Sequence, residues 1–205
     1  MSIKKFTYLS ICIFALLSCS VNKLIPEGEY LLDDVKVIST TNRDNETKAR
    51  GYIRQNPNVR WFGLAKVPFF TYSLSGTDTA KWGNKVLRRL GEAPVIYSDS
   101  ISLLSRNNIE RMLVNDGYLH ASVDFECEKD EDKRRATTYY YLHERERYYI
   151  ESIELETEDE TLKSIILADT VHSLLRAGVP FSVDNMEFER RRITAMLKDM
   201  GYYRF

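Results

Sequence analysis

The stretch "RMLVNDGYLHASV" (Arg111–Val123) has a close echo in "AMLKDMGYYRF" (Ala195–Phe205). In both, a Met-Leu pair is followed by three residues and then by Gly-Tyr, and Gly117 and Gly201 lie 84 positions apart. Helices often end on a glycine in the left-handed conformation, after which the chain takes a new direction. The echo therefore predicts the same helix end twice, and this local role explains both tyrosines without a binding function for either.

The residues around the two copies predict the same order of elements twice. Apolar spacing, with Asn, Asp, Gly and Pro at the breaks, separates strands from helices. The first unit begins with a predicted strand at 30–38 and a helix at 46–55, which Asp44 or Asn45 caps. A second helix is predicted from Ser98 or Asp99 to Asn115, and its apolar stripe consists of Ile101, Leu104, Ile109, Met112 and Leu113. An antiparallel hairpin of strands at 121–128 and 136–144 completes the unit. The second has a predicted strand at 148–156, a helical segment at 160–178 and a helix from about 184 to Gly201. We expect an α+β protein of tandem β-α-α-β-β units, the second incomplete.

This order predicts four segments of the chain. Residues 1–18 are a predicted lipoprotein signal peptide, and residues 19–29 are a polar tether. The first unit is predicted at 30–145, with an aromatic-rich insertion at about 58–97 that glycine and proline interrupt. The second unit is predicted at 146–205 and is truncated before its last two strands.

The first residues predict export and a lipid anchor. Lys4 and Lys5 precede an apolar run that ends at Leu17, which is too short to span a membrane and typical of a signal peptide. The following "LLSC" resembles the bacterial lipobox, so Cys19 is the predicted lipidation site. The alternative is an ordinary signal peptide beside an incidental cysteine.

Composition and motifs predict a protein without catalytic chemistry. A net charge of -1 argues against long-range attraction to nucleic acid, so we expect no nucleic-acid partner. We find no hydrolase, zinc-protease, phosphate-loop or paired-cysteine motif, and His120, Cys127 and His143 lack the spacing of metal-ligand pairs. We therefore expect no enzyme, no catalytic residue, no metal and no cofactor. An exported hydrolase is the weakest of the alternatives.

The repeated unit resembles a known family. A β-α-α-β-β unit whose second helix ends in L-x-x-x-G-Y before a hairpin is similar to the polypeptide-transport-associated (POTRA) domain, and "FERRRITAMLKDMGYYRF" (Phe188–Phe205) is the most similar stretch. The lipobox and "LGEAPVIYSD" (Leu90–Asp99) resemble the lipidated, translocation-and-assembly-module type of outer-membrane barrel protein in Bacteroidetes-like bacteria. The resemblance implies an outer-membrane, lipid-anchored protein whose domains face the periplasm. Its implied partners are unfolded outer-membrane protein clients or a subunit of an assembly complex.

Two features depart from the family pattern. The insertion is not part of a minimal unit, and no series of spanning strands follows, as a barrel would require. We therefore expect an N-terminal fragment that lacks its barrel.

The resemblance implies a functional role for a strand edge. One hairpin strand, with Ala121, Val123, Phe125 and Cys127 as candidate client-binding residues, is expected at the edge of the sheet, where an extended segment can pair with its main chain. The expected function is a non-enzymatic docking or chaperone arm of an outer-membrane assembly or translocation factor. Two alternatives stay open: the edge is covered by the insertion or the neighbouring unit, or the chain is a self-standing outer-membrane lipoprotein with a structural or tethering role.

Overall fold

A computed structural model describes residues 24–62, 65–75 and 78–203. The predicted signal peptide and the predicted lipidation site, Cys19, lie outside these residues. Contacts divide the described chain into two compact units, one of residues 24–38, Ile53–Arg106 and Asp124–Tyr141, and one of Ser39–Tyr52, Asn107–Val123 and residues 142–203. The four segment boundaries drawn from the sequence stay predictions.

The described residues form an α+β protein, as predicted. Its strands are β1 (Leu31–Ser39), β2 (Ser122–Asp130) and β3 (Arg135–His143). Its helices are α1 (Arg43–Arg50), α2 (Val67–Ser73), α3 (Trp82–Leu90), α4 (Asp99–Asn115), α5 (Glu160–Ala168) and α6 (Val183–Asp199), and a 3-10 turn lies at Thr170–His172. The insertion, which the sequence left unassigned, contains α2 and α3. Without them, the order from β1 to β3 is the predicted β-α-α-β-β.

The three strands form one mixed sheet in the order β1-β3-β2. A four-residue turn joins β2 to β3, so this pair is the predicted antiparallel hairpin. Leu31 N–H donates to Arg134 O at 3.0 Å, and Lys36 Nζ donates to Tyr139 OH at 3.3 Å. Because these contacts advance in the same direction along both chains, β1 and β3 run parallel.

The buried stripe of α4 differs from the predicted one. Ile109, Met112 and Leu113 are buried as expected, but Leu104 is 57% exposed and two serines, Ser102 and Ser105, take the inner positions. Ser105 Oγ accepts the Arg54 N–H at 2.9 Å and donates to Ile101 O at 2.9 Å, and Ser102 O accepts the Tyr140 hydroxyl at 3.3 Å. A buried hydroxyl with partners, as at Ser105, is tolerated inside a fold, and apolar periodicity does not indicate such a position.

The predicted cap of α1 is wrong by two or three residues. Asn42 caps the helix, since its side-chain oxygen accepts the Asp44 N–H at 2.9 Å, and the helix ends before Gly51. Asn45 is instead 2% exposed and donates from Nδ2 to Glu144 Oε1 at 3.4 Å. Because the Asn45 side chain is directed at Glu144, it does not cap the helix as the local sequence predicted.

The echo of the opening stretch is the same hydrogen-bonded helix end in both copies. Gly117 N–H donates to Val114 O at 3.1 Å, and Gly201 N–H donates to Lys198 O at 3.0 Å. The following tyrosine N–H donates to a leucine carbonyl five residues back, at 3.0 Å in the first copy and 2.9 Å in the second. Both glycines have positive φ, +95° and +91°. This pattern is the Schellman motif, and α4 and α6, of 17 residues each, both end in it.

A second set of hydrogen bonds confirms the repeat. Leu32 N–H donates to Val95 O at 2.8 Å, and Ile150 N–H donates to Val179 O at 2.9 Å. Each bond lies beside an isolated antiparallel bridge, Leu31 with Ile96 and Tyr149 with Pro180. In the first copy 63 positions separate donor from acceptor residue, whereas in the second 29 do. The first copy therefore has more chain between its two bonded residues than the second has, whereas the bounds of the insertion stay a prediction.

The predicted strand at 148–156 is wrong. Within the described residues this segment is not a strand, and its one bridge joins Tyr149 to Pro180. A strand requires a neighbour along its length, which β1 has in β3. The helix predicted at 160–178 is also shorter, because α5 ends at Ala168 and is followed by the 3-10 turn.

Candidate interaction edge at strand β2

Strand β2 lies at one end of the sheet. Within the described sheet it is hydrogen-bonded to β3 on one side and has no strand on the other. The sequence-predicted candidates Val123, Phe125 and Cys127 lie on this strand, and Ala121 directly precedes it. A strand edge presents a row of main-chain donors and acceptors that can pair with another extended segment.

One contact shows which main-chain groups point away from β3. Val123 N–H donates to the Glu110 carboxylate, Oε2, at 3.2 Å, so this N–H is not directed at β3. Since N–H groups on a strand alternate between its two sides, those of Phe125, Cys127 and Lys129 point the same way as that of Val123. The candidate open row therefore consists of these three residues.

Two of the predicted candidates already have partners inside the chain. Val123 N–H contacts Glu110, and Ala121 N–H donates to Tyr118 O at 2.9 Å. Sequence patterns did not single out Glu110 because a carboxylate on a helix face is ordinarily solvated. Its contact depends on how the helix end turns into the strand.

The side chains of Phe125 and Cys127 in this row face the inside of the fold, whereas that of Lys129 is exposed. Val123 is completely buried, and the rings of Phe125 and Tyr140 lie 6.1 Å apart. Cys127 is a half-buried free thiol, and burial raises its pKa, although a hydrogen bond with Tyr97 acts in the opposite direction. Burial also raises the pKa of Tyr97. A partner would therefore meet main-chain groups along the row and little of these side chains.

The opposite face of β2 carries a row of acids. Asp124, Glu126, Glu128 and Asp130 alternate along the strand with the inward-facing side chains. Tyr139 OH donates to Glu128 Oε2 at 3.0 Å, and its ring stacks on that of Tyr141 at 6.3 Å. The tyrosines of "TTYYYLH" thus divide between faces: Tyr140 is buried at 2% exposure, whereas its two neighbours lie on the acidic face.

Other features of the described chain bear on the remaining predictions. No group of three or more His, Cys, Asp and Glu residues in the described ranges is arranged to hold a metal ion. His120 instead lies edge-on to the Tyr148 ring at 5.7 Å. None of the helices described is at once long enough and apolar enough to cross a membrane.

Comparison with known proteins adds a distant likeness to a solved structure. No protein-family model matches the chain, and no curated protein matches it. The chain is similar to a solved structure described as the crystal structure of Haemophilus Influenzae BamA POTRA3-5, at 14% sequence identity and a TM-score of 0.42. The similarity covers 85% of this chain and spans 57% of that one. A likeness this weak carries no argument about fold or function, so the α+β assignment rests on the element order of the chain itself.

Proposed function

We propose that this chain is a non-enzymatic docking or chaperone arm that takes extended polypeptide segments at the open edge of β2. The observation that carries the proposal is the position of β2 at the end of the sheet. The Val123 N–H contacts Glu110 on the side away from β3, and strand alternation directs the N–H groups of Phe125, Cys127 and Lys129 to that same side. An added strand would extend the sheet from β1-β3-β2 to four strands. Main-chain pairing depends little on the sequence of the partner, which suits a protein that handles many unfolded clients.

The sequence resemblance supplies the proposed setting. It supports an outer-membrane assembly or translocation factor, with lipid-anchored Cys19 at the membrane and the two units in the periplasm. The clients would be unfolded outer-membrane proteins, or the partner would be a subunit of an assembly complex. No bond is made or broken in this function.

The acids of β2 determine which segments should bind best. A strand added at the edge would place alternate side chains beside Asp124, Glu126 and Glu128 on one face. Opposite charges on neighbouring strands stabilise a sheet by about 0.2–1 kcal/mol for each pair. A peptide of alternating valine and lysine is therefore the preferred probe, and alternating valine and glutamate is its matched control.

The test removes one main-chain donor from the edge. In Cys127→Pro the N–H that points away from β3 is lost, whereas Cys127→Ala removes the same thiol and keeps that N–H. Proline is tolerated on an edge strand where the missing donor faces solvent. We expect fluorescence anisotropy to show that Cys127→Pro binds the valine-lysine peptide about tenfold more weakly, and that Cys127→Ala binds it like the unmodified chain.

Circular dichroism must show the same folded signal for both variants. Equal binding by the two variants would show that the β2 edge is not the docking site. Binding that is lost equally in both would assign the effect to the thiol instead of the main chain.

A further inference from the structure

The inserted segment forms a cavity against the start of β1. The cavity has a volume of about 300 Å³. Its apolar lining consists of Leu31, Ala65, Phe69 and Phe70, and its charged lining consists of Asp33, Arg60, Lys66 and Arg135. Phe69 is 2% exposed and belongs, with Leu31, to a buried apolar cluster. The cavity thus has an apolar floor beside a group of charges.

Three cations in this cavity share a single carboxylate. Lys66 Nζ donates to Asp33 Oδ1 at 2.9 Å, Arg60 Nη2 donates to Oδ2 at 3.1 Å, and Arg135 Nη1 lies 3.4 Å from Oδ1. Burial raises the pKa of Asp33, but the hydrogen bond and charge of Lys66, with the two arginines, outweigh it and hold this pKa below its ordinary value. The charged carboxylate still leaves an excess of two positive charges.

The neighbouring hairpin does not cancel this excess. Its two acids beside the cluster, Glu128 and Asp130, are matched by two lysines, Lys129 and Lys133. Lys133 Nζ contacts Asp130 Oδ2 at 2.7 Å. These four hairpin charges beside the cluster cancel one another, so they leave the positive surplus of the cavity unchanged.

The cations differ in how many of their donors are used. Lys66 is 8% exposed and its ammonium has three acceptors, Asp33 Oδ1, Asp33 O at 3.0 Å and Leu32 O at 3.3 Å. Arg60 and Arg135 each contact Asp33 through one terminal nitrogen. Among the residues that the structure describes, the other guanidinium N–H groups of Arg60 and Arg135 have no protein acceptor. Lys66 therefore fixes the cluster, and the two guanidinium groups hold spare donors.

We propose that this cavity binds a phosphate group that carries an apolar substituent. A phosphate monoester has a charge of about -1.5 to -2 at neutral pH, which matches the surplus of two positive charges. Guanidinium groups pair with phosphate oxygens through two parallel hydrogen bonds, and the spare donors of Arg60 and Arg135 supply such pairs. The Phe69 and Phe70 side of the cavity accommodates the apolar substituent.

The test uses the full chain and titration calorimetry with hexyl phosphate and inorganic phosphate. We expect hexyl phosphate to bind more tightly than inorganic phosphate, because only it uses the apolar wall. Arg60→Gln and Arg135→Gln should each weaken hexyl phosphate binding about tenfold. Arg89→Gln is the matched control, because it removes the same charge from a residue that is exposed on α3 and does not line the cavity.

An equal loss of hexyl phosphate binding in all three variants would overturn the proposal, because the attraction would then depend on net charge alone. Unchanged binding in all three would also overturn it, because neither Arg60 nor Arg135 would then contact the ligand. Failure of both phosphates to bind the unmodified chain would also overturn it. Vesicles of phosphatidylcholine with or without phosphatidic acid distinguish the source. Arg60-dependent binding to the acidic vesicles assigns the group to a lipid headgroup, and binding of hexyl phosphate alone assigns it to a soluble ester.

Discussion

Gly117 and Gly201 end equivalent helices with the same conformation, yet their surroundings differ. A Cβ added at Gly117 would lie 2.6 Å from Phe181 O and 3.3 Å from Tyr148 O, both main-chain atoms. A Cβ added at Gly201 would meet no atom of the described residues within 4 Å. The conformational requirement is therefore common to both positions, whereas close packing is specific to Gly117.

This difference predicts unequal costs for the same substitution. Gly201→Ala should lower the free energy of unfolding by about 1 kcal/mol, the cost of a left-handed alanine. Gly117→Ala should lower it by about 3 kcal/mol, because the main chain of the neighbouring segment must also move. Urea denaturation of the two variants measures both values. Equal losses would show that the carbonyl of Phe181 is not held against Gly117.

At the scale of elements, Arg192 and Glu189 of α6 connect this helix to the preceding segment. Arg192 Nη2 donates to Glu189 Oε1 at 2.8 Å, and Nη1 contacts Asp169. Glu189 is 5% exposed, and its other oxygen accepts the Leu174 N–H at 3.1 Å. The hydrogen bonds from Arg192 hold the pKa of Glu189 below its ordinary value. This network joins α6 to both Asp169 and the chain at Leu174.

Arg192→Ala should therefore lower the free energy of unfolding more than the same substitution at the neighbouring Arg191. We expect a loss of about 2 kcal/mol, because a buried carboxylate is left without its cation. Arg191 is the matched control, since its side chain is 66% exposed and pairs with Glu187 along the helix. Arg191→Ala should cost less than about 0.5 kcal/mol. Hydrogen exchange at the Leu174 amide should quicken in the first variant only.

The sign of the pH dependence checks the cause. A carboxylate whose pKa is lowered in the folded state adds stability above its ordinary pKa of 4.5, and this stability is lost as the pH falls through the folded value. The difference between the unmodified chain and Arg192→Ala should therefore narrow below about pH 4. A difference that is constant from neutral to acidic pH would assign the loss to packing instead of charge.

At the scale of the whole molecule, the predicted lipid anchor at Cys19 would place the two units at a membrane surface. We expect the exported chain to partition with membranes and to carry acyl groups at Cys19, because each buried CH₂ of an acyl chain contributes about 0.8 kcal/mol. Cys19→Ser should be released from the membrane and lack the added mass. Cys127→Ser, which changes the free thiol of β2, should keep both properties. Detergent-phase partitioning and intact-mass spectrometry measure these outcomes, and a Cys19→Ser chain that stays bound would contradict the lipobox interpretation.

Much of the first copy could be predicted from local signals. The hairpin, α4 and the glycine helix ends depend on neighbouring residues, such as the alternation of β3 and Gly117 itself, so the sequence indicated them directly. The segment 148–156, predicted as a strand, has equally good alternation, but no strand lies beside it among the described residues. The alternation of residues along a segment indicates that the segment can be extended. Whether it forms a strand depends on whether another strand lies beside it in the fold.

The candidate sites divide in the same way. By itself, the sequence determined the repeated helix end and the hairpin, because helix ends and strand alternation are properties of consecutive residues. Only the tertiary structure decided that Glu110 occupies the N–H of Val123 and that Arg60, Lys66 and Arg135 converge on Asp33. These contacts join residues that are far apart along the chain, and folding alone brings their charges within hydrogen-bonding distance.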